Sequence, residues 1–430
     1  MLTGNKQSFS ANKQSFSASL KQSFSANKKT FRPGKDRVLY AQAVYGQEEI
    51  KAVVKSLKSG WLGPGAYTEK FETEIAKLFG KKYGLFVNSG SSANLLAVEI
   101  VNLPKGSEVI TQACTFPTTL SPLIIKGLTP VFVDSELGTY NINPEKIEHA
   151  ISSKTKAIFI SHALGNINDM AKIAKICKKY KLLFIEDSCD TLGSRFDGKP
   201  TGIWSNITTT SFYAPHHITT AGGGGMVMTN SKHLVKEAKI FRDWGRALPE
   251  NYDENIQERF HFKLHGGIDY DGKFTYVKIG YNFKAIDLQA AFGLVQLKKL
   301  SKFNRTRERN FKRLFQFFTK HQKHFILPKS HAGAQVYWLA FPLTIRQESP
   351  IVRKDLLTYL EENKIQTRLV FSGNILYHEP YRGIKHRVWG NLKNTNIIMK
   401  QSFLIGCHHG MTNNMLDYLL DAFKKYLKKF

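Results

Sequence analysis

Four short apolar runs constrain this chain most: "SEVITQA" (107–113), "TPVFVDS" (129–135), "KAIFISHA" (156–163) and "KLLFIEDS" (181–188). Each is rich in β-branched residues or phenylalanine and is bounded by polar or turn residues. That is the signature of strands buried on both faces. Between them lie "PEKIEHAIS" and "DMAKIAKICKKY", whose apolar spacing is helical. The alternation predicts an α/β fold, a mainly parallel sheet flanked by helices.

Three parts are expected. Residues 1–35 repeat "KQSFS" at Lys6, Lys13 and Lys21, with polar residues around one lone Phe per unit. Such a segment cannot bury a core, so a disordered basic tail is expected there. Residues 36–300 carry the α/β pattern. From 301 to 430 longer polar helices and fewer strands predict a smaller C-terminal α+β lobe. The closing "MLDYLLDAFKKYLKKF" places Leu416, Leu419, Leu420, Phe423 and Leu427 on one helical face. Its lysines could touch an anionic membrane, but packing on the C-terminal lobe is the expected use.

Composition excludes several classes. No run of about 18 apolar residues occurs, so no membrane span is expected. The four cysteines, Cys114, Cys177, Cys189 and Cys407, have no CxxC spacing. That argues against zinc, cluster or disulfide frameworks and fits a reducing, cytoplasmic setting. The tail is acid-poor and serine-rich like an organellar transit peptide, yet lacks arginine before Arg32. Net charge is +28, of which six Lys and one Arg in residues 1–35 supply +7. A positive field attracts anions such as nucleotide sugars. No nucleic-acid module is present, and no nucleic-acid partner is expected.

Three motifs carry chemistry. "NSGSSANLLAVEIV" runs from a small, glycine-containing turn into an apolar helix near Ser92. Helix-opening amides suit a phosphate, although Ser-Gly-Ser turns also cap helices that bind nothing. "LLFIEDSCD" ends a strand in Glu186 and Asp187, where open α/β sheets bind ligands. An aspartate there can keep a pyridinium nitrogen protonated, or merely cap a helix. "SFYAPHHITTAGGGG" (211–225) has the form of a cofactor-lysine loop without a lysine; His216 and His217 stand there instead.

Eight blocks in order extend the pattern from about residue 37 to the C-terminus: "SGWLGPGAYTEKFE", "NSGSSANLLAV", "EDSCDTLGS", "SFYAPHHITT", "FRDWGR", "GYNFKAIDLQAAFGL", "IQTRLVFSGN" and "GNLKNTNIIM". Together they resemble the sugar-modifying branch of the fold-type I pyridoxal phosphate (PLP) enzymes, the DegT/DnrJ/EryC1/StrS type. Within it they are most similar to the CDP-4-keto-6-deoxyglucose 3-dehydrases of lipopolysaccharide biosynthesis. The resemblance implies the fold-type I transferase fold and a cofactor-binding large domain. It implies that Ser91, Ser92 and Ser211 meet the cofactor phosphate and that Asn282 reaches it from the other subunit of a homodimer. Phe116 would stack on the pyridine face, Asp187 would bind the ring nitrogen, and Asn166 would approach the ring hydroxyl.

Related aminotransferases place a lysine at position 216, and the 3-dehydrases place a histidine. Without that amine the working cofactor would be the aminated form, pyridoxamine phosphate (PMP). An imidazole of ordinary pKa near 6.5 could take the proton that starts loss of the C3 hydroxyl and return one to the departing oxygen. His217 would position its neighbour. A sugar-nucleotide aminotransferase is the rival reading, but no lysine lies between Lys199 and Lys232. A catalytically silent homologue is another. It is favoured by the altered "AGGGG" loop and the missing cluster cysteines and opposed by retention of Asp187, Ser211, His216 and Asn282.

Two departures stand out. The iron–sulfur members carry cysteines after "RDWGR", whereas "ALPENYDENIQERFHFKLHGG" follows it here. A cluster needs thiolates, usually four, so no [2Fe–2S] centre is expected. That shifts the expected chemistry toward the cluster-free GDP-4-keto-6-deoxymannose 3-dehydratases, with glutamate as amino donor, and leaves CDP against GDP and the need for a reductase open. Second, relatives usually have glycine where Ala221 sits and an acid where Gly222 sits.

Overall fold

The computed structural model describes residues 30–247 and 256–430. The repeats expected in the tail lie outside the described residues. Phe31, within the expected tail, is buried and meets Tyr418 edge-on with ring centroids 5.8 Å apart.

The strands that matter are β1 (Tyr83–Val87), β2 (Glu108–Gln112), β3 (Thr129–Val133), β4 (Thr155–Ser161), β5 (Leu183–Asp187), β6 (Ile207–Ser211), β7 (Gly225–Thr229), β8 (Phe325–Ile326), β9 (Phe341–Ile345), β10 (Arg387–Val388) and β11 (Ser402–Ile405). The helices are α1 (Gly90–Val101), α2 (Pro117–Ile125), α3 (Met170–Tyr180), α4 (Asp287–Thr319), α5 (Lys393–Gln401) and α6 (Asn413–Leu427). An eight-stranded sheet has the order β1-β7-β6-β5-β4-β2-β3-β10. β7 is antiparallel to both neighbours and the other pairings are parallel. The four apolar runs read from the sequence are β2 to β5.

Alternation along these strands sends side chains to two cores. Ala157 and Phe159 of β4 join one cluster with Leu96 and Leu120 from α1 and α2. Ile158 and Ile160 join the other with Ile173 and Ile176 of α3. Both faces are covered, which explains why the runs read as continuously apolar.

A second sheet, β8-β9-β11, is antiparallel and shares a core with α6. Leu416, Leu419, Leu420, Phe423 and Leu427 are all buried there. Residue 300, where the composition changes, falls inside the continuous helix α4. Among the described residues no helix is long and apolar enough to cross a membrane.

Parallel pairing lines up the C-terminal ends of β4, β5 and β6 along one sheet edge, where Ser161 pairs with Asp187 and Asp187 with Thr209. The start of α1 lies at the same edge, because Gly225 at the head of β7 packs against Ser89. A Cβ on Gly225 would fall 2.2 Å from the Ser89 carbonyl oxygen. That edge opens into a cavity.

Candidate active site

The cavity has a volume of about 730 Å³, and its walls include Ser91, Phe116, Asp187, Asp190, Ser211 and His216. Tyr40, Arg368 and Phe371 close it from the other side.

One end of the cavity is built by α1. Ser89 is its N-cap, accepting from the Ser92 amide at 3.1 Å, and the next amides belong to Gly90 and Ser91. Opening amides of a helix have no partner within it and attract an anion. Gly90 permits a close fit, since a Cβ there would sit 2.6 Å from the Ser211 Cβ. The Ser211 oxygen accepts from the Tyr213 amide at 3.2 Å, leaving its hydrogen free to donate. Ser92, expected here, points back into the cap and donates to Asn88 Oδ1 at 2.7 Å. Its side chain is absorbed by helix capping, while Ser91 faces the cavity.

Asp187 ends β5. Its Oδ2 accepts from Asn94 Nδ2 at 2.8 Å and Thr119 Oγ1 at 2.7 Å, and its Oδ1 from the Cys189 amide at 3.2 Å. Glu186 points to the opposite face, as strand alternation requires. There it is fully buried among His162, Ser188, Ser205 and Thr208. Phe116 is 54% exposed at the cavity wall, and its ring meets that of Phe371 edge-on at 6.5 Å.

His216 is held on three sides. Nδ1 lies 3.5 Å from the Ser211 carbonyl, Nε2 lies 3.5 Å from Asp190 Oδ1, and its own carbonyl accepts from Arg307 Nη2 at 3.4 Å. Burial lowers its pKa to about 4, opposed by the Ser211 carbonyl and aided by Arg307. Burial raises Asp190 to about 7, assisted by Asp187 and opposed by Arg307. Arg307 is fully buried in α4 and donates to the Trp338 and Leu339 carbonyls at 3.2 and 2.9 Å. It ties the histidine loop to the second sheet. His217 does not line the cavity; its Nε2 donates to the Tyr337 carbonyl at 2.5 Å, so it anchors the loop.

The structure does not bring two other expected residues to the cavity of the same chain. Asn166 is fully buried, and its amide donates to the Thr139 and Lys329 carbonyls at 3.0 and 2.9 Å. The wall near it is formed by His162 and Leu164 instead. Asn282 is exposed and bridges backbone with Asp243. Asp190 and Arg307 were missed from sequence. The "EDSCD" run contains Asp190, but only the fold shows that it meets a histidine 26 residues later.

The altered loop has a direct geometry. Ala221 is left-handed, with φ of 56°, and Gly222 has φ of 106°. Glycine is the natural residue at both. Among the described residues no group of three or more His, Cys, Asp or Glu could hold a metal.

The residues present fit PMP or PLP. A helix-opening anion site, a nearly buried strand-end carboxylate and an exposed phenyl face share one cavity. Among the described residues that line it, none is lysine.

Several known proteins are similar. The lipopolysaccharide biosynthesis protein RfbH of Salmonella typhimurium is 40% identical over 395 residues, covering 89% of this chain and 90% of that one. The dTDP-4-dehydro-2,6-dideoxy-D-glucose 3-dehydratase of Saccharopolyspora spinosa is 38% identical, covering 93% and 88%. A solved GDP-4-keto-6-deoxy-D-mannose 3-dehydratase from Escherichia coli, with bound hydrated PLP, superposes with a TM-score of 0.81 at 28% identity, covering 90% and 99%. Residues 44–424 match the DegT/DnrJ/EryC1/StrS aminotransferase family, and the chain belongs to that family.

Proposed function

We propose that this protein is a PMP-dependent 3-dehydratase acting on a nucleotide-linked 4-keto-6-deoxyhexose for deoxysugar and surface-polysaccharide synthesis. One observation carries the reading: a histidine, in place of the amine a transaminase needs, stands in the cavity with the strand-end acid. Relatives named as 3-dehydratases, of dTDP- and GDP-linked sugars, support the substrate class.

When bound, the cofactor supplies an amine for the sugar ketone and a ring that takes up an electron pair. Asp187 would hold the ring nitrogen. The Gly90 and Ser91 amides and the Ser211 hydroxyl would hold the phosphate, with Asn282 of a second subunit completing the site in a homodimer. Phe116 would cover one ring face and keep water from it. His216, held neutral by burial, would take the carbon-bound proton at a ring nitrogen. Glutamate would restore the amine. No [2Fe–2S] centre enters this scheme, because the segment after "RDWGR" carries no cysteine. The reaction would take place in the cytoplasm.

The test is to incubate the protein with PMP, glutamate and a CDP-, GDP- or dTDP-linked 4-keto-6-deoxyhexose, without reductase, and follow products by mass spectrometry. A 3-deoxy-4-keto sugar released with ammonia is expected. An amino sugar, or no turnover of any of them with PMP bound, would overturn the reading.

A further inference from the structure

The imidazole of His216 faces two oxygens of different kinds. The Ser211 carbonyl, 3.5 Å from Nδ1, can only accept, so the single proton of a neutral ring sits on Nδ1. Nε2 then presents a lone pair to Asp190 Oδ1 at 3.5 Å. Two bare lone pairs facing each other in a buried site repel, so a proton belongs between them. We infer that Asp190 carries that proton and delivers it to the departing C3 hydroxyl, while His216 takes the proton removed from carbon.

The surroundings agree. Asp190 is faced by Asp187 and Cys189 from its own segment, by His216 from the histidine loop, by Tyr40 from the N-terminal segment and by Arg307 from α4, and Tyr213 lines the same cavity. Asp187 opposes its ionisation. The Arg307 guanidinium favours ionisation, but its hydrogen bonds go to three main-chain carbonyls and not to this carboxyl. Burial prevails, and the carboxyl stays protonated up to about neutral pH. Both Asp190 and His216 line the cavity, so both can reach a bound sugar.

The step balances. A C–H bond, the C–O bond and the Asp190 O–H bond break; an O–H bond forms on the leaving hydroxyl, which departs as water, and an N–H bond forms at His216 Nε2, which the Asp190 proton has left free. The electron pair of the C–H bond replaces the one that leaves with oxygen, so no oxidant or reductant is consumed. The pair is left as imidazolium and carboxylate, and proton return across 3.5 Å resets it. Each partner thus has one task, in place of a single imidazole serving as both base and acid.

This inference rests on the dehydratase reading, and its first test does not require turnover. In unliganded protein labelled at aspartate Cγ, carbon NMR should show one carboxyl titrating near neutral pH, absent from Asp190→Asn. Nitrogen NMR should show His216 as the Nδ1–H tautomer. A carboxylate at Asp190 already ionised in the ordinary aspartate range would overturn the inference even in an active enzyme. In turnover, Asp190→Asn should lose about 10²–10⁴-fold in dehydration and Asp190→Glu should regain part of it. The wild-type rate should fall as pH rises through the Asp190 titration, and that limb should vanish in Asp190→Asn. An Asp190→Asn enzyme with the wild-type rate and profile would also overturn it. A wild-type protein that turns over no sugar would instead defeat the dehydratase reading, leaving the carboxyl titration to decide where the proton rests.

Discussion

Asp187 and Asn94 meet at 2.8 Å at the edge of the cavity, the strand-end carboxylate accepting from an amide on α1. Thr119, from α2, donates to the same oxygen at 2.7 Å. Strand, helix and helix therefore fix one acid before any ligand arrives. Replacing Asp187 with Ala would remove the proposed partner of a pyridinium and strand two buried donors, at about 1–3 kcal/mol for each. A fluorescence titration should show PMP affinity down by at least about tenfold, the worth of roughly one charged hydrogen bond, with a lower Tm. Normal PMP binding by Asp187→Ala would place the ring elsewhere.

His216 is read as the base, not as a cofactor anchor. His216→Asn should lose about 10²–10⁴-fold in dehydration, the usual worth of a positioned base. PMP binding should be unchanged, because the carboxylate, the amides and Phe116 stay in place. Parallel rate and titration measurements separate the two; undiminished turnover would exclude the base assignment.

Ala221 pays for a left-handed backbone that glycine adopts freely. The strain is about 1–2 kcal/mol, and the greater freedom of glycine in the unfolded chain takes back about 0.4–1 kcal/mol. Ala221→Gly should therefore stabilise the protein modestly in urea unfolding. A loss of stability would mean that the loop has a different backbone.

Glu186 gives the fold an acid-sensitive point. Burial alone would raise its pKa, but His162 and the hydroxyl of Ser188 hold it at about 2. A folded value below the unfolded one stabilises above the unfolded pKa and is lost as pH falls through the folded one. Stability should thus decline from about 4.3 toward 2. Glu186→Gln should flatten that part of a Tm-against-pH series while lowering Tm at neutral pH.

Asp134, just past β3, caps α5 from a distance. Its carboxylate accepts from the Asn394 and Thr395 amides at 3.0 and 2.9 Å and from Thr395 Oγ1 at 2.8 Å. Asp134→Ala should cost about 2 kcal/mol in denaturant unfolding, as loss of a cap plus buried charged hydrogen bonds. The helix would then detach from the sheet edge more readily, a change that hydrogen exchange over 393–401 would detect.

Much of the fold was legible because burial on both faces leaves a local mark. β2 to β5 stand where the β-branched runs place them, and α6 buries the five residues of its apolar stripe. The cap near Ser89, the acid at the end of β5 and the histidine of the glycine-rich loop were also readable, since each depends on its neighbours in sequence. Sheet order was not, because β1 lies beside β7 through hydrogen bonds between residues about 140 positions apart.

The site divides in the same way. Sequence alone determined that a helix-opening turn, a strand-end acid and a histidine loop occur in one chain in that order. Tertiary structure decided which atoms face the cavity. It turned Ser92 into a cap and Asn166 into a support for two carbonyls. It set Asp190 against His216 and buried Arg307 behind them. Local pattern records whether a residue is buried, but which groups it meets depends on how distant elements pack.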